Sequence, residues 1–250
     1  MEVRFLPSGD TGLVVQFGNA VDRAVNDRVL RLDASLRAAA LPGVIETVPT
    51  FRSLLVHYDP LETTAAELTR SIEALLDRPQ EGRRATRLWR VPVCYEASHA
   101  PDIAEVAERT GLSVEDVVSL HSGTRYHVYM IGFVPGFPYM GDLPESLVLP
   151  RRADPRLRVP AGSVAIATSM TAIYPLESPG GWHLIGSTPI RLFDLRWPAR
   201  PKLVESDPRR FLDEEKPVQR ELNTLRKEHG LGVVVDLTCS GMGRNAAALA

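Results

Sequence analysis

The sequence predicts a chain of two domains, a small N-terminal α/β sandwich followed by a β-rich barrel or sandwich. Three observations carry this. Up to Leu76, runs of strand composition alternate with amphipathic helical runs. Residues Asp77 to Thr86 are polar, hold Pro79 and Gly82 and lack apolar periodicity, the composition of an exposed connection. From Arg125 to Phe193 the chain breaks into short β-rich runs separated by Gly and Pro. With 250 residues, 44% hydrophobic and 24% charged, it is long enough for two cores of ordinary size.

The first domain opens with two expected strands, Val3 to Leu6 and Leu13 to Phe17, bracketing the turn cluster Pro7 to Gly12. From Val21, the spacing of Val25, Val29, Leu32 and Leu36 places them on one helical face, and Pro42 and Gly43 stop the helix. Strands follow at Ile45 to Val48 and Leu54 to Tyr58, with Leu54, Val56 and Tyr58 alternating toward one face. A second helix starts at Thr64, with Glu67 as its capping-box partner and Leu68, Ile72, Leu75 and Leu76 as its buried stripe.

Beyond the connection, Leu88 to Tyr95 reads as a strand. Helices Asp102 to Thr110 and Val114 to His121 follow, parted by the Gly111 stop and the Ser113 cap. No basic face accompanies these two helices, so they do not read as a DNA-binding pair. Strands are expected at Tyr126 to Ile131, Leu147 to Leu149, Ser163 to Ala167, Ile173 to Tyr174, Trp182 to Ile185 and Pro189 to Phe193. Pro217 to His229 has helical spacing and starts at a proline, and Val233 to Leu237 reads as one more strand.

Charge and composition exclude several classes. With 29 basic and 31 acidic residues, a net charge of -2 gives no footprint for a polyanion, so nucleic acid is not an expected partner. Glu2 and the turn residues Pro7, Ser8 and Gly9 stand where a secretory signal needs a basic start and an apolar run. No run approaches the roughly 20 apolar residues of a membrane helix. Cys94 and Cys239 match no metal or disulfide spacing and fit a reducing cytosol. A cytoplasmic location is therefore expected.

Three segments mix backbone punctuators with aromatic rings: Tyr129 to Gly141, Arg158 to Ala165 and Tyr174 to Gly186. Within them Tyr129, Met130, Gly132, Phe133, Pro135, Gly136, Tyr139, Pro160, Gly162, Tyr174, Ser178, Gly180, Gly181, Trp182 and His183 are candidates for lining a pocket. Glycine allows close backbone approach, proline fixes a loop in advance, and aromatics supply apolar surface at low entropy cost. Gly180 and Gly181 are expected to hold an unusual backbone angle. The alternative is that these are the tight corners and core aromatics of any compact barrel. Arg151, Arg152 and Arg158 would meet a carboxylate or phosphate if their loops converge, and solvated surface arginines are the competing outcome. His121, His127 and His183 show no recognised zinc spacing, so no metal is expected. Phosphate-loop, nucleophile-elbow and dinucleotide-turn motifs are absent from the sequence. No catalytic residue is assigned.

These three segments resemble the core motifs of the PxpB/KipI family, the allophanate hydrolase subunit 1 proteins. The resemblance extends in order through Phe5 to Gly12, Val91 to Tyr95, Gly111 to Val118 and Pro189 to Asp194, spanning about residues 1 to 205. It implies an N-terminal α/β domain over 1-80 and a cyclophilin-like β-barrel over 87-206, while residues 207-250 lie outside the resemblance and read as a divergent C-terminal helical extension. It also implies a non-autonomous subunit of an ATP-dependent 5-oxoprolinase, working with PxpC-like (allophanate hydrolase subunit 2) and PxpA-like (LamB/YcsF) partners. ATP would be used by the assembled complex. Two alternatives share the scaffold: a KipI-like inhibitor of a sporulation histidine kinase, and a carboxyltransferase component of a urea carboxylase system. Members of the family usually close with a Gly-Asp-Arg-Val-Arg-Phe-like strand, whereas this chain has Asp207 to Leu212 and then a charged helical run.

Overall fold

A computed structural model describes residues 3–77, 87–193 and 234–239. The chain divides into two compact units, Met1–Arg84 and Ala85–Ala250.

The first unit is a four-stranded antiparallel sheet with two helices. Strands β1 (Arg4–Pro7), β2 (Gly12–Gln16), β3 (Val44–Pro49) and β4 (Ser53–Tyr58) lie in the order β1-β2-β4-β3, with helices α1 (Arg23–Ala39) and α2 (Ala65–Leu76) between and after them. Both prolines sit on edge strands, where a missing N–H costs no internal ladder bond. The Asp22 carboxylate accepts from the Val25 N–H at 3.0 Å and starts α1 at Arg23, so Val21 stays outside the helix and exposed. Thr64 and Glu67 form the expected reciprocal capping box. Both helical stripes share one core with Leu13, Val15, Leu54, Val56 and Tyr58.

In the second unit the described strands make a mixed sheet rather than a closed barrel. They are β5 (Arg87–Pro92), β6 (Tyr126–Ile131), β7 (Pro138–Gly141), β9 (Ser163–Ala167), β10 (Met170–Ile173), β12 (His183–Ser187) and β13 (Val234–Cys239), in the order β12-β9-β10-β7-β6-β13-β5. β8 (Arg156–Val159) and β11 (Ser178–Gly180) form a separate two-stranded ribbon. The expected closure is reduced to one point, since edges β12 and β5 meet only through the bridge between Ser187 and Cys94. There each N–H donates to the other's carbonyl, at 2.8 and 2.9 Å. Helices α3 (Ile103–Thr110) and α4 (Val114–Gly123) contribute Ile103, Val106, Ala107 and Val117 to a core shared with Trp89, Val91, Tyr126, Val164 and Ile166. Gly111 ends α3 in the left-handed region (φ 71) and the Ser113 hydroxyl caps α4.

Several expected strands change character. Leu147 closes a 3-10 turn (Glu145–Leu147) and Leu149 makes only an isolated bridge to Thr168, because Pro144 and Pro150 remove the flanking donors a ladder needs. Pro189 to Phe193 is irregular. β7, β8 and β11 escape the sequence reading because a proline opens the first, two arginines mask the second and Ser-Pro-Gly spells a turn in the third. The strand expected from Val233 is β13, which lies antiparallel to β5 and parallel to β6. The helix expected over Pro217 to His229 falls outside the described residues.

Candidate functional site

The segment from Gly180 to His183 joins two side-chain clusters. The first is aromatic and is built around Phe137, which is 2% exposed and lies just before β7. The rings of Tyr139, Tyr174, Trp182 and Phe133 meet it edge to face, with centroids 4.9, 5.1, 6.0 and 5.4 Å away. Such pairs favour this T-shaped geometry because a positive ring edge meets a negative face. Phe133 stands 60% exposed with φ 67, an angle a non-glycine residue adopts only under local constraint. Here the Val134 N–H reaching back to the Gly132 carbonyl at 2.9 Å supplies that constraint.

Gly180 lies against the hydroxyl and ring edge of Tyr174, in the space a Cβ would take. Neither Gly180 nor Gly181 has a positive φ, so the unusual angle expected of them is absent, and Gly180 alone makes a close approach instead. The backbone N–H of Arg152 donates to the Gly181 carbonyl at 2.8 Å and binds the loop after Pro150 to this segment. Arg151 is thereby carried to the edge of the aromatic cluster, where its charge acts on both Tyr139 and Tyr174. Burial pushes the Tyr174 phenol up to about 12, assisted by Tyr139 and opposed by Arg151, a backbone hydrogen bond from Trp182 and Arg156. Burial also raises Tyr139, with Arg151 opposing. Both phenols are therefore protonated at neutral pH.

The second cluster is ionic and centres on Asp102, 3% exposed at the start of α3. Its side chain does not cap the helix. Instead the carboxylate accepts two bonds from Arg156, at 2.9 and 2.6 Å, one from Arg152 at 3.2 Å and one from the Leu184 N–H at 2.7 Å. One carboxylate thus ties α3 to β8, to the arginine loop and to β12. Arg152 continues to Glu105 at 3.1 Å, and Arg109 holds the other Glu105 oxygen at 3.1 Å. Arg109 foremost, with Arg152, holds the Glu105 carboxyl below its usual range. His183 is fully buried, and its Nε2 donates to the Pro150 carbonyl at 3.0 Å. That bond leaves Nδ1 without a hydrogen-bond partner, 3.9 Å from Glu105.

The remaining sequence candidates are distributed around these clusters. Gly136 and Gly162 do need left-handed angles (φ 80 and 83) and press against the Leu192 and Thr188 carbonyls. Ser178 is buried on β11 with its hydroxyl unpartnered. Tyr129 packs its ring on Gly141 and against His127, and donates to Asp142 at 3.3 Å, with Met130 following it on β6 beside Gly132. Pro135 and Pro160 are exposed. Arg158 is 83% exposed, 3.5 Å from Glu177, and joins neither cluster. His121 belongs to a separate buried chain. There Tyr95 Oη donates to its Nδ1 at 2.7 Å, its Nε2 donates to Thr171 Oγ1 at 2.9 Å, and Thr171 donates to the Ala165 carbonyl at 3.1 Å. Burial alone lowers this imidazole to about 3, so it stays neutral.

Sequence reading missed Asp102, Glu105 and Arg156 as site residues, Asp102 having served there only to start a helix. No spacing announces a carboxylate whose arginines come 50 and 54 residues later. Phe137 falls inside the aromatic segment Tyr129 to Gly141, and the density of rings around it was the available signal.

The fold and these motifs define a carboxyltransferase-type domain. The family model for carboxyltransferase domain, subdomain C and D, matches residues 3–204. The chain is 37% identical over 199 residues to the 5-oxoprolinase B subunit of Bacillus subtilis (strain 168), covering 74% of this chain and 82% of that protein. It is 41% identical over 192 residues to the 5-oxoprolinase B subunit of Escherichia coli O157:H7, covering 77% and 86%. Among solved structures, the crystal structure of TTHA0988 superposes with a TM-score of 0.66 at 40% identity, covering 77% of this chain. This chain spans 36% of the length of that one. The chain belongs to the carboxyltransferase subdomain C and D family, alongside the 5-oxoprolinase B subunits it resembles in sequence.

Proposed function

We propose that this chain is the B-type subunit of an ATP-dependent 5-oxoprolinase, opening the lactam of 5-oxoproline to L-glutamate in a cytoplasmic complex with PxpA-like and PxpC-like partners. The observation that carries this is the identity shared with two 5-oxoprolinase B subunits over more than four-fifths of their length. No helix among the described residues is long and apolar enough to cross a membrane.

The outer edge of the aromatic cluster, exposed Phe133 and half-buried Tyr139, is read with Arg151 as the substrate-facing surface. Lactam opening requires the ring to be held flat and oriented while charge develops on the amide, and rigid rings beside a guanidinium provide that. Among the described residues no trio of His, Cys, Asp or Glu side chains is placed to hold a metal ion. ATP chemistry is assigned to the assembled complex, and this chain binds and orients. The single bridge between Cys94 and Ser187 supports reading the curled sheet as a cyclophilin-like barrel.

Reconstitution tests the function. Purified chain should release no glutamate from 5-oxoproline and ATP, and adding both partners should produce it. Full-rate release by the chain alone, or an inert complete mixture, overturns the reading. The name of the matched family favours one second reading, a carboxyltransferase component. It predicts instead that the mixture moves the carboxyl group of a carboxybiotin partner onto a urea nitrogen, releasing biotin and allophanate, with no need of 5-oxoproline.

A further inference from the structure

We propose that Phe133 is a substrate contact: a turn under backbone strain holds its ring out of the core to cover one face of a small flat ring, the lactam of the substrate. In naming that substrate the proposal rests on the 5-oxoprolinase reading.

Phe133 lies in the connection between β6 and β7, where three backbone bonds fix the chain. The Gly132 N–H donates to the Phe137 carbonyl at 3.1 Å, the Val134 N–H to the Gly132 carbonyl at 2.9 Å and the Phe137 N–H to the Val134 carbonyl at 3.1 Å. The second of these closes a γ-turn on Phe133, and the φ of 67 makes it the rare, strained form of that turn. Glycine would adopt such an angle without a Cβ penalty, yet Gly132 and Gly136 stand to either side and a phenylalanine fills the position. Among the described residues the other positive angles outside glycine fall on Ala40, Asp142 and Thr168, so no other ring is held in this way.

Burial does not account for the strain. The ring meets Phe137 at 74° with centroids 5.4 Å apart, and the residue still stands 60% exposed. Strain kept for a side chain that the core does not use points to a contact made outside the chain. The exposure is also isolated: Pro135 is the other exposed residue of the connection, and the remaining large exposed hydrophobics of this unit, Val148 and Leu157, lie on other segments. One ring is too little for a protein docking surface, which needs a contiguous desolvated patch. It is enough for one face of a small ring. The face of a phenyl ring is negative and attracts the C–H edges of ring methylenes, and a ring already fixed in place loses little freedom when it is covered. Phe133 is the outermost ring packed on Phe137, so the lactam is seated on the solvent side of the aromatic cluster.

The test separates the ring from the backbone that carries it. KM for 5-oxoproline across a titration of the partner subunits, calorimetric binding of 5-oxoproline to the full chain, and urea denaturation are measured for wild type, Phe133→Ala, Phe133→Gly, Phe133→Trp and the control Leu157→Ala. Ala and Gly both remove the ring, so both should raise KM and weaken binding roughly tenfold, with a smaller change in kcat. Only Gly relieves the turn, so Phe133→Gly should be more stable than Phe133→Ala, the reverse of their usual order. Trp restores an aromatic face and should keep KM within about threefold of wild type. Leu157→Ala should leave KM unchanged. KM decides wherever the complex is active, and calorimetry where it is not. A normal KM in Phe133→Gly, or a loss that follows stability rather than the ring, overturns the contact while leaving the 5-oxoprolinase reading intact. So does a loss that excess partner repairs, which would make the ring a subunit contact. An inert complex whose chain binds 5-oxoproline through Phe133 sinks the function and keeps the contact, and an inert complex whose chain binds none overturns both.

Discussion

The two units of the chain treat buried polarity differently. In the first, the buried polar side chains among the described residues are Asn26 and Asp33, both on α1. Asn26 donates to the Thr50 and Phe51 carbonyls and Asp33 accepts from Thr47 and Arg37, so both fasten the helix to the β3–β4 hairpin. In the second unit Asp102, His121, Ser163, Thr171, Ser178, His183 and Thr188 are buried. Several of these join segments far apart in sequence, and Ser178 Oγ and His183 Nδ1 have no partner. Buried polar atoms left unpaired are costly, so their concentration in one unit marks where the structure serves something other than packing.

Matched substitutions sharpen that contrast. Ile72, fully buried in the first unit, should lose roughly 2–5 kcal/mol on replacement by Ala through lost burial and a residual cavity. Asp102→Ala should lose about as much, roughly 3–5 kcal/mol, for another reason: it strands the Arg156 guanidinium and the Leu184 N–H and leaves Arg152 with Glu105 alone. Hydrogen exchange should rise around α2 in the first variant and across α3, β8 and β12 in the second. Only Asp102→Ala should also lower turnover of the reconstituted complex, because it frees the arginine loop bound to the Gly180–His183 segment. Equal losses of turnover in both variants would erase the distinction between the units.

Legibility followed the same division. Periodicity found α1, α2 and their core in the first unit because one apolar stripe per helix, or one alternating face per strand, decides those elements locally. In the second unit β6 and β9 were readable as β-branched and aromatic runs, but β8 was not: Arg156 and Arg158 look like surface charge until Asp102 is seen to claim the first. Likewise the candidate arginines looked equivalent in sequence. Their separation into a paired Arg152, an Arg151 with no ion pair among the described residues and an exposed Arg158 depends on contacts across dozens of residues. The candidate glycines stood out in the sequence as a group, but not the reason for each.

Acid should expose the difference more gently. His121 is held neutral, its imidazole lowered by burial from 6.5 to about 3. The unfolded chain binds a proton there below pH 6.5 and the native chain does not, so this stability is complete above that pH. It is lost as pH falls from about 6.5 toward 3, by up to roughly 1.4 kcal/mol per pH unit. The first unit has no buried imidazole among the described residues. His121→Gln should therefore be less stable at pH 7 yet show a flatter fall between pH 6 and 4 in urea denaturation followed over the second unit. A slope unchanged by the substitution would mean that His121 is protonated in the native state.

Glycine provides the finest version of the comparison, because each unit uses it for a different reason. Gly9, in the first unit, has φ 63 and open space where a Cβ would go. Gly9→Ala should cost about 1 kcal/mol from backbone strain alone, and Gly9→Asn should recover part of it because Asn tolerates the left-handed region. Gly180 has no positive φ, but its Cβ would fall on the Tyr174 hydroxyl, whose ring is 1% exposed and has no room to swing. Gly180→Ala should cost on the order of 1–3 kcal/mol through overpacking, while neighbouring Gly181, with Pro155 no closer than 3.6 Å, should accept Ala within about 0.5 kcal/mol. The two causes predict opposite rescues. Asn should not relieve position 180, and removing the opposing hydroxyl with Tyr174→Phe should, giving a favourable coupling in the double variant. Melting curves for the single and double variants decide it. If Tyr174→Phe leaves the Gly180→Ala loss untouched, the close approach is not what requires glycine there, and the placement of Tyr174 against the Gly180–His183 segment fails with it.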